Sequence, residues 1–231
     1  MFVNMLCKRK AVRMLSVIVV LVALAGFAAL HSVLAAQRTK RAVTVLIGER
    51  AFWGLYRAFF NLFSVVTFIP LMLIMEYQPG ALVWEARGLV GWGLLTAQVV
   101  SVMGLVWAGS QIDFRRFLGI PQARAYFNGD PLPLPPEPFV QRGMYGLVRH
   151  PLYLCLIVYL GTTQTMYAAN LAFALGATIY FVVGSWLEER RLLAERGTDY
   201  LHYRARVPFL IPFVRFPPAA CCMSGFTPDG S

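Results

Sequence analysis

The chain has 231 residues and a mass of 25.8 kDa, with 58% hydrophobic and only 14% charged residues. Soluble domains carry about 25% charged residues, so this composition excludes a disordered chain, an acidic tail and an ordinary soluble enzyme, and leaves an integral membrane protein of several helices. The net charge is +10, from 21 Lys+Arg against 11 Asp+Glu, and the basic residues flank long apolar runs, which suits lipid headgroups rather than nucleic acid.

A spanning helix needs about 20 apolar residues. The first such run is Met14 to Ala35. Lys8, Arg9, Lys10 and Arg13 before it give it the look of a signal peptide. Its apolar stretch is too long for that and continues into another apolar-basic segment, so it reads as a retained span. The second span runs from about Ala58 to Glu76, with a kink expected at Pro70. The third is Gly88 to Gly109. Within it, Gly91-Trp92-Gly93 does not follow a strand, so it is no dinucleotide turn and reads as close helix packing through small residues.

Ser110 to Arg149 contains Pro131, Pro133, Pro135, Pro136 and Pro138 and is expected to be an extended connector. Pro151 to Gln164 and Ala168 to Leu187 then predict a helical hairpin about Thr165-Met166-Tyr167, the first arm being short for a full span. Glu188 to Arg196 continues the fifth helix out of the membrane. Gly197 suits its C′ position, Thr198 suits the next N-cap, and a short helix from Asp199 to Val207 stops at Pro208. The expected fold is all-α and polytopic, with about five spans in one membrane domain covering residues 1–231. Its parts are a three-helix segment (14–109), a proline-rich cytoplasmic connector (110–149) and a hairpin with a C-terminal helix (150–215).

Charge orients this arrangement. Of the Lys and Arg residues, 16 lie in 37–57, 110–149 and 190–215, and only 5 lie on the opposite side. The positive-inside rule puts the connector and the C-terminal segment in the cytoplasm. Five crossings then put the N-terminus outside, against the basic cluster at residues 8–13. Either Met14 is the natural start or the first span is not a simple crossing. The four cysteines, Cys7, Cys155, Cys221 and Cys222, form neither a CxxC pair nor a Cys/His cluster, so no disulfide framework and no metal site is expected. Cys221 and Cys222 do not make a prenylation box, and an unmodified tail is the expectation there.

Three polar clusters could carry chemistry. The first is Gly143-Met144-Tyr145-Gly146-Leu147-Val148-Arg149-His150-Pro151-Leu152-Tyr153. Pro151 begins a helix, so Arg149 and His150 lie at its positive end, which favours anions. The plainer reading is an interfacial anchor of snorkelling Arg and belt Tyr. The second is Glu188-Glu189, two carboxylates directly after an apolar helix; the plainer reading is that Arg190 and Arg191 neutralise them. The third is Tyr200, His202 and Tyr203, with the two tyrosines on one face of the short helix; the plainer reading is an aromatic face resting on the bilayer. All three fall on the cytoplasmic side. Together they suit a ligand with a positive centre, hydroxyls and a free carboxylate, and S-adenosylmethionine has all three.

The ordered set Arg149-His150-Pro151-Leu152-Tyr153, Glu188-Glu189, Gly197, Tyr200, Tyr203 and Pro208 resembles the isoprenylcysteine carboxyl methyltransferase and phospholipid methyltransferase superfamily, over about residues 140–212. His31-Ser32, Lys40, Tyr56-Arg57, Asn61, Asp113 and Gln122 are similar to the pattern of bacterial methanethiol S-methyltransferases and the related NnrU-type membrane proteins of denitrifiers. The resemblance implies a membrane enzyme using S-adenosylmethionine. It implies a cofactor pocket of Tyr145, Arg149, His150, Tyr153, Glu188, Glu189, Tyr200 and Tyr203, with Arg149, His150 and Glu188 taking part in catalysis and no metal. One departure is Cys155, where family members commonly carry Gly.

A thiol acceptor must be thiolate to react. His150 is the expected base or acceptor-orienting residue, and the Arg149 charge favours the anion. The leading expectation is methyl transfer to a small thiol or another apolar acceptor reaching a cytoplasm-facing site from the bilayer, in a bacterial inner membrane. The alternatives are a non-catalytic NnrU-type accessory protein, or transfer to an isoprenoid carboxylate or phospholipid amine. A transporter would need ionisable residues at mid-span, and the spans offer little beyond Asn61 and Gln98.

Overall fold

A computed structural model describes the backbone of residues 2–214 and the side chains of residues 15–214. Cys221, Cys222 and the side chains of Cys7 and of the 8–13 basic cluster lie outside the described residues. The elements run α1 (Phe2–Ala35), α2 (Gln37–Ile47), α3 (Glu49–Tyr77), β1 (Leu82–Glu85), α4 (Gly88–Ser110), α5 (Phe114–Leu118), α6 (Ile120–Asn128), α7 (Met144–Leu147), α8 (Pro151–Gly161), β2 (Thr165–Tyr167), α9 (Ala168–Arg196) and α10 (Thr198–Arg206). Among the described residues, four helical segments are long and apolar enough to cross a membrane: Leu15–Ala35, Glu49–Tyr77, Gly88–Ser110 and Ala168–Arg196. With the shorter apolar α8 they make an all-α polytopic membrane protein.

The bundle has two parts. Helices α1, α3 and α9 pack around Val20, Leu24, Leu71, Ala169, Phe173 and Ala177. Small residues set the spacing: a Cβ on Gly176 of α9 would sit 2.5 Å from Leu24 Cδ2 of α1. Helix α8 packs along α4 and bridges it to α9. Here Cys155 finds its explanation. A Cβ on Gly104 of α4 would lie 2.7 Å from Cys155 Sγ, so the missing side chain on α4 makes room for the sulfur on α8.

The expected hairpin differs in one respect. Thr165–Tyr167 is not a simple turn but a strand paired antiparallel with β1, in register Leu82↔Tyr167, Trp84↔Met166 and Glu85↔Thr165. Ala86 N donates to Gln164 O at 2.8 Å and Trp84 Nε1 to Thr163 O at 3.0 Å. Helix α8, at about 1.5 Å rise per residue, is roughly half the length of a hydrocarbon core. The chain after it runs extended, at about 3.3 Å per residue, into β2. Such chain is tolerated only where its backbone groups are paired, and β1 pairs them. The two strands are four and three residues long, too short for a period-2 signal to declare them.

Other corrections are local. Helix α3 starts at Glu49, before the expected Ala58, and continues through Pro70. The connector is extended only in its proline-dense half. Its first half folds into α5, capped by Asp113 Oδ1 accepting from Arg116 N at 2.9 Å, and α6, with proline in its first turn. Gly197 closes α9 at φ 54° and also precedes α10, so Thr198 is the first helical residue rather than the cap. Of the two glycines flanking Trp92, Gly91 packs tightly, its hypothetical Cβ 2.7 Å from the Ala86 carbonyl, while Gly93 faces open space.

Most of the 31–130 residues in the resemblance hold elements together. The Tyr56 hydroxyl donates to Leu34 O at 2.7 Å, Asn61 Nδ2 to Phe117 O at 2.8 Å, and Gln122 Nε2 to Arg116 O at 3.1 Å. Glu137, in the proline-dense segment, pairs with Arg57 and Arg116 at 3.2 Å each, and its carbonyl accepts from Arg196. Asn61 and Gln98, whose Nε2 donates to Tyr159 O at 3.3 Å, are thus helix–helix contacts.

Candidate functional site

The polar clusters meet where α7, α8, α9 and α10 come together. Gly143, at φ 59°, lets the chain turn against Gln111, whose Oε1 accepts from Met144 N at 3.2 Å. A Cβ there would lie 2.4 Å from that oxygen, so the turn requires glycine. Val148 then runs extended and the chain bends at Arg149, whose N donates to Pro208 O at 2.9 Å. His150 is the N-cap residue of α8 and Pro151 its first residue.

Glu189 is the centre of the site. It is 5% exposed. Its Oε1 lies 3.0 Å from Arg149 Nη1 and 3.3 Å from His150 Nε2, and its Oε2 lies 3.2 Å from the same guanidinium. Arg204 Nε approaches Oε2 at 3.8 Å. A buried carboxylate is tolerable only when paired in this way. The neighbours expected to neutralise it do something else: Arg190 stacks on Trp186 with its guanidinium carbon 3.5 Å from the ring centre, and Arg191 pairs with Glu195 at 3.6 Å.

Glu188 has a different environment. Its side chain is 38% exposed, and its nearest cation-capable partner is His150 Nδ1 at 4.0 Å, beyond hydrogen-bond range. It lies within electrostatic reach of Tyr145, whose hydroxyl is pushed up to about 12 by burial and then by the Glu188 charge. His150 therefore stands between two carboxylates, one on each ring nitrogen. Its ring stacks on Tyr153 at 5.8 Å between centres, and Phe209 closes its other side edge-on at 5.2 Å. The Arg149 guanidinium lies 5.4 Å over the same Phe209 ring. Burial pulls the Arg149 guanidinium down from its usual value, and Glu189 opposes that shift.

Tyr200 and Tyr203 do not rest on lipid. They are 1% and 3% exposed and pack against Phe139, Leu192 and Leu193. The Tyr203 hydroxyl donates to Tyr145 O at 2.7 Å, tying α10 to the Gly143–His150 segment. Burial raises both phenols, with the Glu189 charge adding to the rise at Tyr200. Among the described residues Arg149 Nε is buried without a hydrogen-bond partner, and the Tyr200 hydroxyl meets Glu189 only loosely. His202 is exposed and stands apart from the cluster.

Every residue expected in the pocket is thus in one neighbourhood. Sequence reasoning missed Arg204, Phe209 and Phe139. Arg204 follows Tyr203 directly, and nothing local marks it as the cation that turns inward. Phe209 sits one residue after Pro208, where a chain end doubling back could have been suspected.

Sequence comparison gives the family. A methanethiol S-methyltransferase of Bradyrhizobium diazoefficiens is 31% identical over 204 residues, covering 85% of this chain and 73% of the relative. The chain belongs to the methanethiol S-methyltransferase family. A second member, from Crocosphaera subtropica, is 34% identical over 194 residues, covering 81% of this chain and 71% of the relative. A third, from Mycobacterium tuberculosis, is 32% identical over 211 residues, covering 86% and 79%. No family model matches the chain, and no solved structure matches it. Among the readings open at the sequence, membership in this family selects a methyltransferase.

Proposed function

We propose that the protein transfers a methyl group from S-adenosylmethionine to methanethiol or a closely similar small thiol, at a site on the cytoplasmic face of a bacterial inner membrane. The observation that carries the reading is the split of the carboxylate pair. Glu189 is consumed by Arg149, His150 and Arg204, while Glu188 stays free beside Tyr145. A free carboxylate at the rim of an aromatic site is a place for a cationic ligand. Two further groups fit the donor: among the described residues Arg149 Nε has no hydrogen-bond partner, and the Tyr200 hydroxyl has only a loose approach to Glu189. Leaving each unmade costs about 1–3 kcal/mol, and a ligand carboxylate would relieve it.

Bound there, S-adenosylmethionine supplies an electrophilic methyl on a sulfonium. Glu188 balances the positive charge of the donor, Arg149 and Tyr200 take its carboxylate, and the rings of Tyr145 and Tyr153 wall the reacting centre. Glu189 holds Arg149 and His150 in place. Methyl transfer neutralises the sulfonium, so an enclosed, weakly polar wall helps. His150 orients the site through its Nε2 contact with Glu189 at 3.3 Å.

The test uses full-length protein in lipid nanodiscs with labelled S-adenosylmethionine and a panel of acceptors. Dimethyl sulfide from methanethiol supports the reading. Absence of cofactor binding at saturating concentration, or label appearing only in lipid, overturns it. A C-terminal reporter fusion reads the orientation, and a periplasmic signal would reverse it.

A further inference from the structure

One ionisable side chain within a span belongs to none of the clusters described so far. His31 of α1 lies four residues before the end of that helix, inside the Leu15–Ala35 apolar segment. Its Nδ1 is 2.8 Å from the hydroxyl of Tyr180 on α9. The imidazole is walled by aromatic rings, Phe60 at 4.7 Å and Phe27 at 5.7 Å between centres. Its other nitrogen has no hydrogen bond among the described residues. An ionisable group in a span is costly and points to function.

The pair connects to the site already described. Tyr180 precedes Phe181, whose ring stacks on Tyr153 at 5.2 Å and 10°, and Tyr153 stacks in turn on His150. The Tyr153 hydroxyl lies within electrostatic reach of both Tyr180 and Glu188. Tyr180 is eight residues before Glu188 on α9, about 12 Å deeper along the helix. The sequence therefore puts a proton acceptor below the cofactor site, on the side an apolar thiol dissolved in the bilayer would reach first.

Resting on the methyltransferase reading, we infer that Tyr180 and His31 form the thiol subsite, with Tyr180 receiving the thiol hydrogen bond and His31 receiving the proton. With His31 neutral and carrying its proton on Nε2, Tyr180 O–H donates to His31 Nδ1, leaving the phenol oxygen free to accept from the substrate S–H. In the transfer step the thiol proton passes to the Tyr180 oxygen as the phenol proton passes to His31 Nδ1. The thiolate sulfur forms a bond to the donor methyl carbon, and the carbon–sulfonium bond breaks with its electron pair returning to sulfur. The products are a neutral sulfide, neutral S-adenosylhomocysteine and a His31 imidazolium, which loses its proton to solvent. Near the pair, the Tyr153 hydroxyl on α8 is within electrostatic reach of Tyr180 and of Glu188 and Arg191 on α9, while Lys40 on α2 interacts with Arg57 on α3 and with Arg191 and Glu195 on α9 as a separate charged group.

The experiment compares wild type with His31→Asn, His31→Phe and Tyr180→Phe in nanodiscs. It measures S-adenosylmethionine affinity, and methyl transfer to methanethiol and to a thiophenol already ionised at the assay pH. The expected result is cofactor affinity within about twofold of wild type, a methanethiol rate reduced about 10²-fold or more, and near-wild-type transfer to the ionised thiol. The residual methanethiol rate should rise about tenfold per pH unit, because bulk solvent now supplies the thiolate. Loss of both acceptors together, loss of cofactor binding, or an unchanged methanethiol rate in all three variants overturns the assignment. A wild type that binds no cofactor sinks the methyltransferase reading itself; a wild type that turns over with variants to match sinks only the subsite.

Discussion

Glu188 and Glu189 are adjacent in sequence but should respond to the same substitution in opposite ways. Glu189→Gln removes the charge that faces Arg149 at 3.0 Å, His150 at 3.3 Å and Arg204 at 3.8 Å. At 3.0 Å and an effective dielectric near 20, the gross Arg149–Glu189 attraction is about 5–6 kcal/mol. Desolvation offsets part of that. The Arg204 approach adds little, since that side chain is 41% exposed. Breaking a buried pair from one side costs about 3–5 kcal/mol, and glutamine keeps one acceptor oxygen, so about 3 kcal/mol is expected. For a chain of this size that lowers Tm by roughly 6–12 °C. Glu188→Gln removes a half-exposed carboxylate with no hydrogen bond, and should stay within about 0.5 kcal/mol of wild type. Its effect should appear in S-adenosylmethionine affinity, weakened about 10-fold or more for a lost charged contact. Thermal unfolding in detergent and equilibrium binding read the two quantities separately. A Glu189→Gln protein that melts with wild type, or a Glu188→Gln protein that melts as early as Glu189→Gln, would refute the division of roles.

The remaining predictions concern the frame around that pair. Tyr203→Phe leaves the Tyr145 carbonyl without its 2.7 Å donor and should cost about 1 kcal/mol in unfolding free energy. Gly104→Ala places a methyl 2.7 Å from Cys155 Sγ and should destabilise by about 1–3 kcal/mol. Cys155→Ala in the same chain should recover most of that loss, and a double-mutant cycle without coupling would remove this explanation of Cys155. Tyr145, raised to about 12 by burial and Glu188, stays neutral in the folded protein where an unfolded tyrosine ionises near 10. The stabilisation is complete below pH 10 and is lost as pH rises toward 12. Phenolate absorbance should therefore lag free tyrosine over that window, and Tyr145→Phe should shrink the lag.

Apolar runs of span length and a few polar motifs declare most of the fold, because lipid forces backbone pairing into helices and each helix must be long enough to cross. What the sequence hides are the places where pairing is made otherwise. The β1–β2 ribbon is too short for a periodic signal, and α5–α6 arise from an Asp cap and a proline start inside a segment that looks proline-broken throughout. The site is legible as three clusters. Its internal wiring is not, because the cation opposing Glu189 comes from 40 residues upstream and the apparent one, Arg190, turns away to Trp186. His31 is marked in the sequence only by the resemblance, and its proposed role comes from the approach of Tyr180 from 149 residues away.

The doubled carboxylate also shows how one helix serves two phases. Consecutive helical residues point about 100° apart, so Glu189 turns into the α8–α10 junction while Glu188 turns to the open rim. Glu189 must be buried to hold Arg149 and His150 rigidly, and a buried carboxylate with Arg149, Arg204 and His150 around it has no capacity left for a ligand. On the proposed reading Glu188 stays accessible to meet a soluble cationic donor, and so cannot anchor the fold. Neither position can do both jobs. One turn back the helix carries Gly184 and the buried Ser185, and two turns back stands Tyr180, in the apolar stretch of α9. On the proposed reading the water-soluble donor would approach α9 at the Glu188 end and the lipid-soluble acceptor at the Tyr180 end, with the stacked rings of Tyr153 and Phe181 between them.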